Sequence, residues 1–274
     1  LFYSTQRALR RGLENPVDVR ERIRHNQQLA SALLRKEGFS AREIEVLWQR
    51  FKADYFLRHT HKQIAWHCMH LLRHEDHAKP LILISKKATR GGTEVFVYSR
   101  DQHALFATVV AELDRRNFNV HDAQVMTSKD GYVLDTFMVL DQHGQAVDES
   151  RHKAVIKHLA HVLKDGRPTK IKTRRVPRNL QHFKVKTRVD FLPTKSKKRT
   201  LMEFVALDTP GLLATVGATF ADLDLHLHAA KITTIGERAE DLFIITSELG
   251  GKLTEEQEAQ LRESLTANVA ELAP

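Results

Sequence analysis

Leu207-Asp208-Thr209-Pro210-Gly211-Leu212-Leu213-Ala214-Thr215-Val216 decides the reading of this 274-residue chain. An apolar strand runs into Asp208, and an amphipathic helix leaves from Gly211. The same grammar stands earlier in the chain. Sliding it by 107 positions puts Asp101 on Asp208, Leu105 on Leu212 and Ala107-Thr108-Val109 on Ala214-Thr215-Val216. At the same offset Ala111 meets Ala218, His121 meets His228, Ala123 meets Ala230 and Thr127 meets Thr234. Beyond the Asp130-Gly131 turn the offset becomes 106, with Asp135 on Asp241 and Phe137 on Phe243. A step of one residue inside a turn is what loops tolerate. Two copies of one β-α-β-β-α module are the economical explanation.

Working outward, each copy predicts the same elements. In the first, strands are expected at 81–84, 93–98, 118–127 and 132–140, with helices over 104–116 and 149–163. In the second, strands are expected at 185–192, 201–207, 225–235 and 241–248, with helices over 211–223 and 254–267. The signals are period-two alternation for strands, a Gly91-Gly92 turn, and Thr254 as a helix cap. The fold expected is α+β: an N-terminal helical segment followed by two ferredoxin-like βαββαβ repeats, each a small sheet with helices on one face. No clear strand can be placed between the last helix and Pro274.

Residues 1–78 form the helical region. Asn15-Pro16 reads as an N-cap with Pro at the first helical position, and Ser40…Glu43 and Thr60…Gln63 read as capping boxes. Ile44, Leu47, Trp48 and Phe51 recur at helical spacing and mark one buried stripe. The remaining boundaries expected are 79–166 for the first repeat, 167–182 for a basic linker and 183–274 for the second repeat.

The formal charge of +9 is concentrated. Lys164 to Arg199 holds fourteen Lys and Arg against two Asp, which leaves the rest of the chain slightly acidic. Pro168, Pro177 and Pro193 break helices there and mark a connector. A nucleic-acid footprint would be a patch on a folded face, so nucleic acid is not expected as a partner. With 42% hydrophobic residues a disordered chain is excluded, and the single Cys68 excludes a disulfide framework. No apolar run reaches the ~18 residues a membrane helix needs. No signal peptide is visible, and a reducing, cytoplasmic setting is expected; the chain starts at Leu1 and reads as a piece of something longer.

The strand-to-helix loop is the candidate site. Asp208 is placed to cap the helix, Pro210 presets the backbone, and Gly211 lets a ligand approach the main chain. The first-turn N–H groups then suit a carboxylate, as in an amino acid. The plainer alternative is an ordinary capped helix whose glycine permits tight packing.

The Asp-x-Pro-Gly-Leu-Leu loop, Ala230-Lys231-Ile232-Thr233-Thr234 and Asp241-Leu242-Phe243 resemble an ACT domain. The first repeat resembles it through Asp101-Gln102-His103-Ala104-Leu105-Phe106, but carries Ala104 where the second has Gly211, and lacks the Pro. The resemblance implies amino-acid sensing at the loops, with candidate ligand-binding residues Asp208, Thr209, Pro210, Gly211, Leu212 and Leu213, and Asp101, Gln102, His103, Ala104 and Leu105 in the first copy.

Longer runs extend the match over nearly the whole chain. They include Tyr55-Phe56-Leu57-Arg58-His59, Ile64-Ala65-Trp66-His67, Arg90-Gly91-Gly92-Thr93-Glu94, Leu113-Asp114-Arg115-Arg116-Asn117 and Val120-His121-Asp122-Ala123-Gln124. Ile232-Thr233-Thr234-Ile235-Gly236-Glu237-Arg238 and Asp241-Leu242-Phe243-Ile244-Ile245 continue it. Together they resemble the C-terminal part of the bifunctional uridylyltransferase/uridylyl-removing enzymes that act on the nitrogen-regulatory PII protein. The resemblance implies that L-glutamine is the effector and PII the substrate of the parent enzyme. It also implies nucleotidyltransferase and HD-type domains outside this chain, Mg²⁺ in those domains, and no cofactor in this one. The alternative is an ACT-type interaction module that docks on catalytic domains or PII without a small ligand of its own.

No catalytic residues are expected here. A nucleotidyltransferase needs a Gly-Ser loop beside paired carboxylates for Mg²⁺, and none is found. His121-Asp122 lies in a predicted strand, which removes it as an HD metal centre. His67, His70 and His74 would share a face on one helix, but with no fourth ligand no metal site is expected. Cys68, between Trp66 and Leu71, reads as a buried, inert thiol.

Overall fold

A computed structural model describes residues 16–85, 91–165, 182–183 and 185–272. The expected linker at 167–182 lies almost wholly outside the described residues, as does Asn15. The chain groups into two compact units. One is 1–81 with 98–100 and 126–134; the other is 82–97, 101–125 and 135–274.

In the helical unit, α1 (Pro16–Lys36), α2 (Ala41–Gln49), α3 (Ala53–Arg58) and α4 (His61–Leu72) pack together. Both capping boxes form: Ser40 Oγ accepts the Glu43 N–H, and Thr60 Oγ1 accepts the Gln63 N–H. Ile44, Leu47 and Phe51 are buried with Tyr55, Phe56 and Ile64. The end of α3 is held by the Asn26 side-chain amide, which donates to the carbonyls of Phe56 (2.8 Å) and His59 (3.3 Å). These supply partners that a helix C-terminus otherwise lacks. The Cys68 thiol is fully buried and accepts the Trp48 indole N–H at 3.3 Å; burial pushes its pKa up to about 12, so it stays protonated and unreactive.

The described strands form one sheet. Its strands are β1 (Leu81–Ile84), β2 (Thr93–Arg100), β3 (Asn119–Gln124), β4 (Tyr132–Leu140), β5 (Arg188–Leu192), β6 (Thr200–Leu207), β7 (His226–Lys231), β8 (Thr234–Ile235) and β9 (Arg238–Thr246). The order is β1-β2-β4-β3-β7-β9-β6-β5, with β8 paired to β9. The helices are α5 (Leu105–Asp114), α6 (Glu149–Asp165), α7 (Leu212–Asp222) and α8 (Glu255–Ala270).

Read from its centre, the sheet order is the same in both directions: β3-β4-β2-β1 one way and β7-β9-β6-β5 the other. Each half is ferredoxin-like, with one difference from the expected βαββαβ order. The fourth strand of each half precedes the repeat instead of following it. β1 and β5 fill the edge slot, which is why no strand is found after α8 among the described residues.

The repeat explains the junction. β3 and β7 are equivalent strands and pair antiparallel, with Ala123 opposite Ala230. Two equivalent residues can face each other only on a local two-fold axis. The flanking bonds obey it: Val125 N–H donates to the His228 carbonyl and Ile232 N–H to the His121 carbonyl, both at 3.1 Å. The irregularity in β3 between Val120 and Asp122 recurs in β7 between Leu227 and Ala229. His121 and His228 are therefore the residues at the two bulges, where side chains are re-aimed.

Above the junction α5 packs on α7. Phe204, Phe220 and Phe243 form an aromatic cluster in the second half, with Phe220 edge-on to Phe243 at 5.3 Å. Phe106 and Phe137 stack at 5.9 Å in the first.

Candidate functional site

Both strand-to-helix loops fold the same way. Leu212 N–H donates to the Thr209 carbonyl (3.1 Å) and Thr215 N–H to Gly211 (2.9 Å). In the first copy Leu105 N–H donates to Gln102 (3.2 Å) and Thr108 N–H to Ala104 (2.9 Å). The N-cap residue is left-handed in each: Gly211 at φ 84°, Ala104 at φ 55°. Glycine adopts this region freely, whereas alanine is strained by roughly 1–2 kcal/mol there. Ala104→Gly is therefore expected to raise stability by up to about 1 kcal/mol, after the added unfolded-state freedom of glycine; chemical denaturation measures it.

Asp208 does not cap the helix, contrary to the sequence expectation. No side chain caps α5 or α7. The left-handed residue turns the chain so that Asp208 lies three residues before the cap, and its carboxylate instead accepts the Thr234 hydroxyl at 2.9 Å. Its backbone N–H donates to the Glu237 carbonyl at 2.9 Å. The β8–β9 hairpin is thus clasped to the loop. Behind it, Asp241 is 1% exposed and accepts the Thr233 N–H at 3.1 Å.

The electrostatics of this corner are those of buried acids. Burial raises the Asp208 pKa; the Thr234 hydrogen bond opposes this, Asp114 adds to it, and His121 lowers it. Burial pushes Asp241 up to about 8, against the Thr233 hydrogen bond and with help from Asp208. His121 is pushed down, first by burial and then by the Lys231 charge, with Asp208 opposing. Lys231 is itself paired with Asp122 at 3.5 Å across the β3–β7 junction. Asp114 and His121 belong to the first repeat, so the corner draws on both copies.

Of the other expected residues, Thr209, Gly211 and Leu212 are buried, and Pro210 and Leu213 half-buried. Leu212 and Leu105 belong to the core. In the first loop Asp101 and His103 are exposed. Gln102 donates to the Leu163 carbonyl at 2.8 Å, which ties that loop to the end of α6. Thr233, Thr234, Asp241 and His121 join the corner beyond the residues expected from the sequence. An Asp inside the apolar run Asp241-Leu242-Phe243-Ile244-Ile245 is the signal that marks the position, because an acid is seldom buried without purpose.

The trio His67, His70 and His74 does not converge. His67 is buried against the Tyr55 hydroxyl (3.0 Å), while α4 ends at Leu72, so His74 is off the helix and meets the Lys79 carbonyl (3.0 Å). Among the described residues no three His, Cys, Asp or Glu side chains come together as metal ligands. No described helix is long and apolar enough to cross a membrane.

Two ferredoxin-like halves joined strand to strand, with a glycine-cornered loop clasped at their junction, define a tandem ACT-type unit. Residues 18–70 match the family model described as the fifth domain of uridylyltransferase GlnD. Over all 274 residues the chain is 84% identical to a bifunctional uridylyltransferase/uridylyl-removing enzyme of Vibrio vulnificus, of which it covers 31%. Over 273 residues it is 69% identical to the enzyme of the same description from Aliivibrio fischeri, again covering 31%. Among solved structures, an aspartate kinase from Synechocystis aligns with 66% of this chain and 27% of its own, at 13% identity and a TM-score of 0.37; the fold assignment rests on the strand order given above. The chain thus matches the C-terminal region of the bifunctional uridylyltransferase/uridylyl-removing enzymes over its whole length, and spans 31% of the length of the curated relatives it matches.

Proposed function

We propose that this chain is the amino-acid-sensing region of a cytoplasmic enzyme that attaches UMP to the PII protein and removes it again, and that L-glutamine binds at the Asp208–Leu213 loop. The observation that carries this is the clasped corner itself. It combines a helix start with no side-chain cap, a left-handed glycine, the half-buried Asp208 and the buried Asp241. A zwitterion has a carboxylate for the first-turn N–H groups and an ammonium for Asp208. Mg²⁺ and the two chemical steps belong to nucleotidyltransferase and HD-type domains outside these residues. Glutamine acts by favouring one arrangement of the parent enzyme over another, which requires different affinity for the two.

Gly211→Ala tests the placement. Ala104 shows that the same backbone accepts a β-carbon, so the variant is expected to fold, with a loss of about 1 kcal/mol. Its glutamine affinity should fall at least tenfold by calorimetry. Unchanged affinity in the folded variant removes this loop as the site. Ala104→Gly serves as the control and should leave affinity as it was.

A further inference from the structure

The equivalent hairpins of the two repeats hold different partners. In the second repeat the β8–β9 hairpin closes on its own loop through Thr234 and Asp208. In the first, residues 126–134 group with the helical segment and not with their own repeat. Arg50, the C-cap residue of α2, is the hub. Its Nε meets Asp130 Oδ2 at 2.5 Å and its guanidinium donates to the Tyr98 hydroxyl at 2.5 Å. Its carbonyl accepts the Lys129 N–H at 2.8 Å, and Lys129 Nζ donates to the Gln49 carbonyl at 2.9 Å. The hairpin therefore caps the open C-terminus of α2, where a cation and N–H donors are favoured. Tyr98 and Tyr132 stack at 4.9 Å, with the Arg50 guanidinium 5.8 and 5.5 Å from their ring centroids.

Tyr98 lies in β2 and Tyr132 in β4, and both strands continue as chain into the sheet. A second connection comes from β3. Its end is bonded to β7 through Val125 and His228, and β7 leads through Ile232 and Thr233 to the Asp208 corner. The links are backbone hydrogen bonds and the chain itself, ending at the corner in two side-chain contacts, the Thr233 N–H to Asp241 and the Thr234 hydroxyl to Asp208.

We propose that the 126–134 hairpin is the docking element through which the helical segment reads the ligand state of the repeat pair, with Arg50 as its latch. This rests on the sensing function proposed above. The second repeat spends its hairpin on holding the ligand loop, and the first spends the equivalent hairpin on the helical segment. A latch of charge, cap and ring stack is a discrete contact, made or released, as a coupling element requires. Arg50 here is a positioning residue, acting through the hairpin and touching no ligand.

Hydrogen exchange on the 274-residue chain, with and without saturating L-glutamine, tests it. Wild type is expected to change exchange several-fold at 208–213 and 232–238, and also at 126–134 and 47–52. In Arg50→Ala, and in Asp130→Asn at a more exposed position, the first pair of changes should persist and the second should vanish. A glutamine effect confined to the second repeat in wild type overturns the latch and leaves sensing intact. An identical hairpin effect in both variants also overturns it. No change in any segment overturns both readings.

Discussion

Gly217→Val is expected to lower the melting temperature by on the order of 2–8 °C and to weaken glutamine binding with it. Gly217 sits in α7 where that helix crosses α5. A β-carbon there would lie 2.6 Å from Phe106 Cδ1, 3.1 Å from Phe106 Cε1 and 3.3 Å from Ala107 Cα. Phe106 cannot easily yield, because its ring is stacked on Phe137 and only 8% exposed. Nor can the Ala107 backbone yield without moving α5. Overpacking of this kind costs roughly 1–3 kcal/mol. The relief available is to separate the two helices, which draws Asp114 and the first repeat away from the Asp208 corner. Thermal denaturation by circular dichroism measures the first effect and calorimetry the second. An unchanged melting temperature contradicts the close α5–α7 packing.

Asp241 gives the second large effect. Its folded pKa of about 8 lies well above the ordinary carboxylate value near 4. Between these two values the unfolded chain has released the proton and the folded chain still holds it. The contribution of Asp241 to stability is then fully present below pH 4, declines as pH rises, and is gone once pH passes about 8. At about 1.4 kcal/mol for each tenfold step, this is a loss of several kcal/mol from one group. Asp241→Asn keeps an oxygen for the Thr233 N–H and cannot ionise. The variant is expected to match wild type near pH 4 within the scatter of other groups, and to melt clearly higher at pH 9. Parallel melting curves for the two proteins across that range would show that Asp241 ionises normally.

Much of this fold is legible because local and global signals agree. Ser40, Thr60 and Thr254 announce three helix starts, and all three capping boxes form. The 107-residue repeat places the same elements twice, so a weak strand in one copy is supported by a stronger one in the other. The edge strands expected at 81–84 and 185–192 form at 81–84 and 188–192, yet their place in the order is not legible. Nothing local in Leu81-Ile82-Leu83-Ile84 says whether a strand serves the repeat before it or the one after.

The site was half legible for a related reason. Pro210-Gly211 marks a turn that needs a left-handed residue, and that is a local property. Which group Asp208 meets is not. Ala104 adopts the same left-handed backbone without any glycine signal. Thr234, Asp241 and His121 reach the corner through strand pairing, a bulge and the junction of two repeats. These are contacts between residues far apart in sequence, and a single sequence carries no direct trace of them. The shared helix face expected of His67, His70 and His74 does not form for a local reason: α4 stops at Leu72, two residues short of the third member.

The most direct measurement is a calorimetric titration of L-glutamine into the 274-residue chain, with L-glutamate as the comparison. Sensing at the Asp208 corner predicts saturable heat for glutamine and weaker binding for glutamate, whose extra negative charge meets the Asp208 carboxylate. No heat from either amino acid, or equal affinity for both, would contradict it.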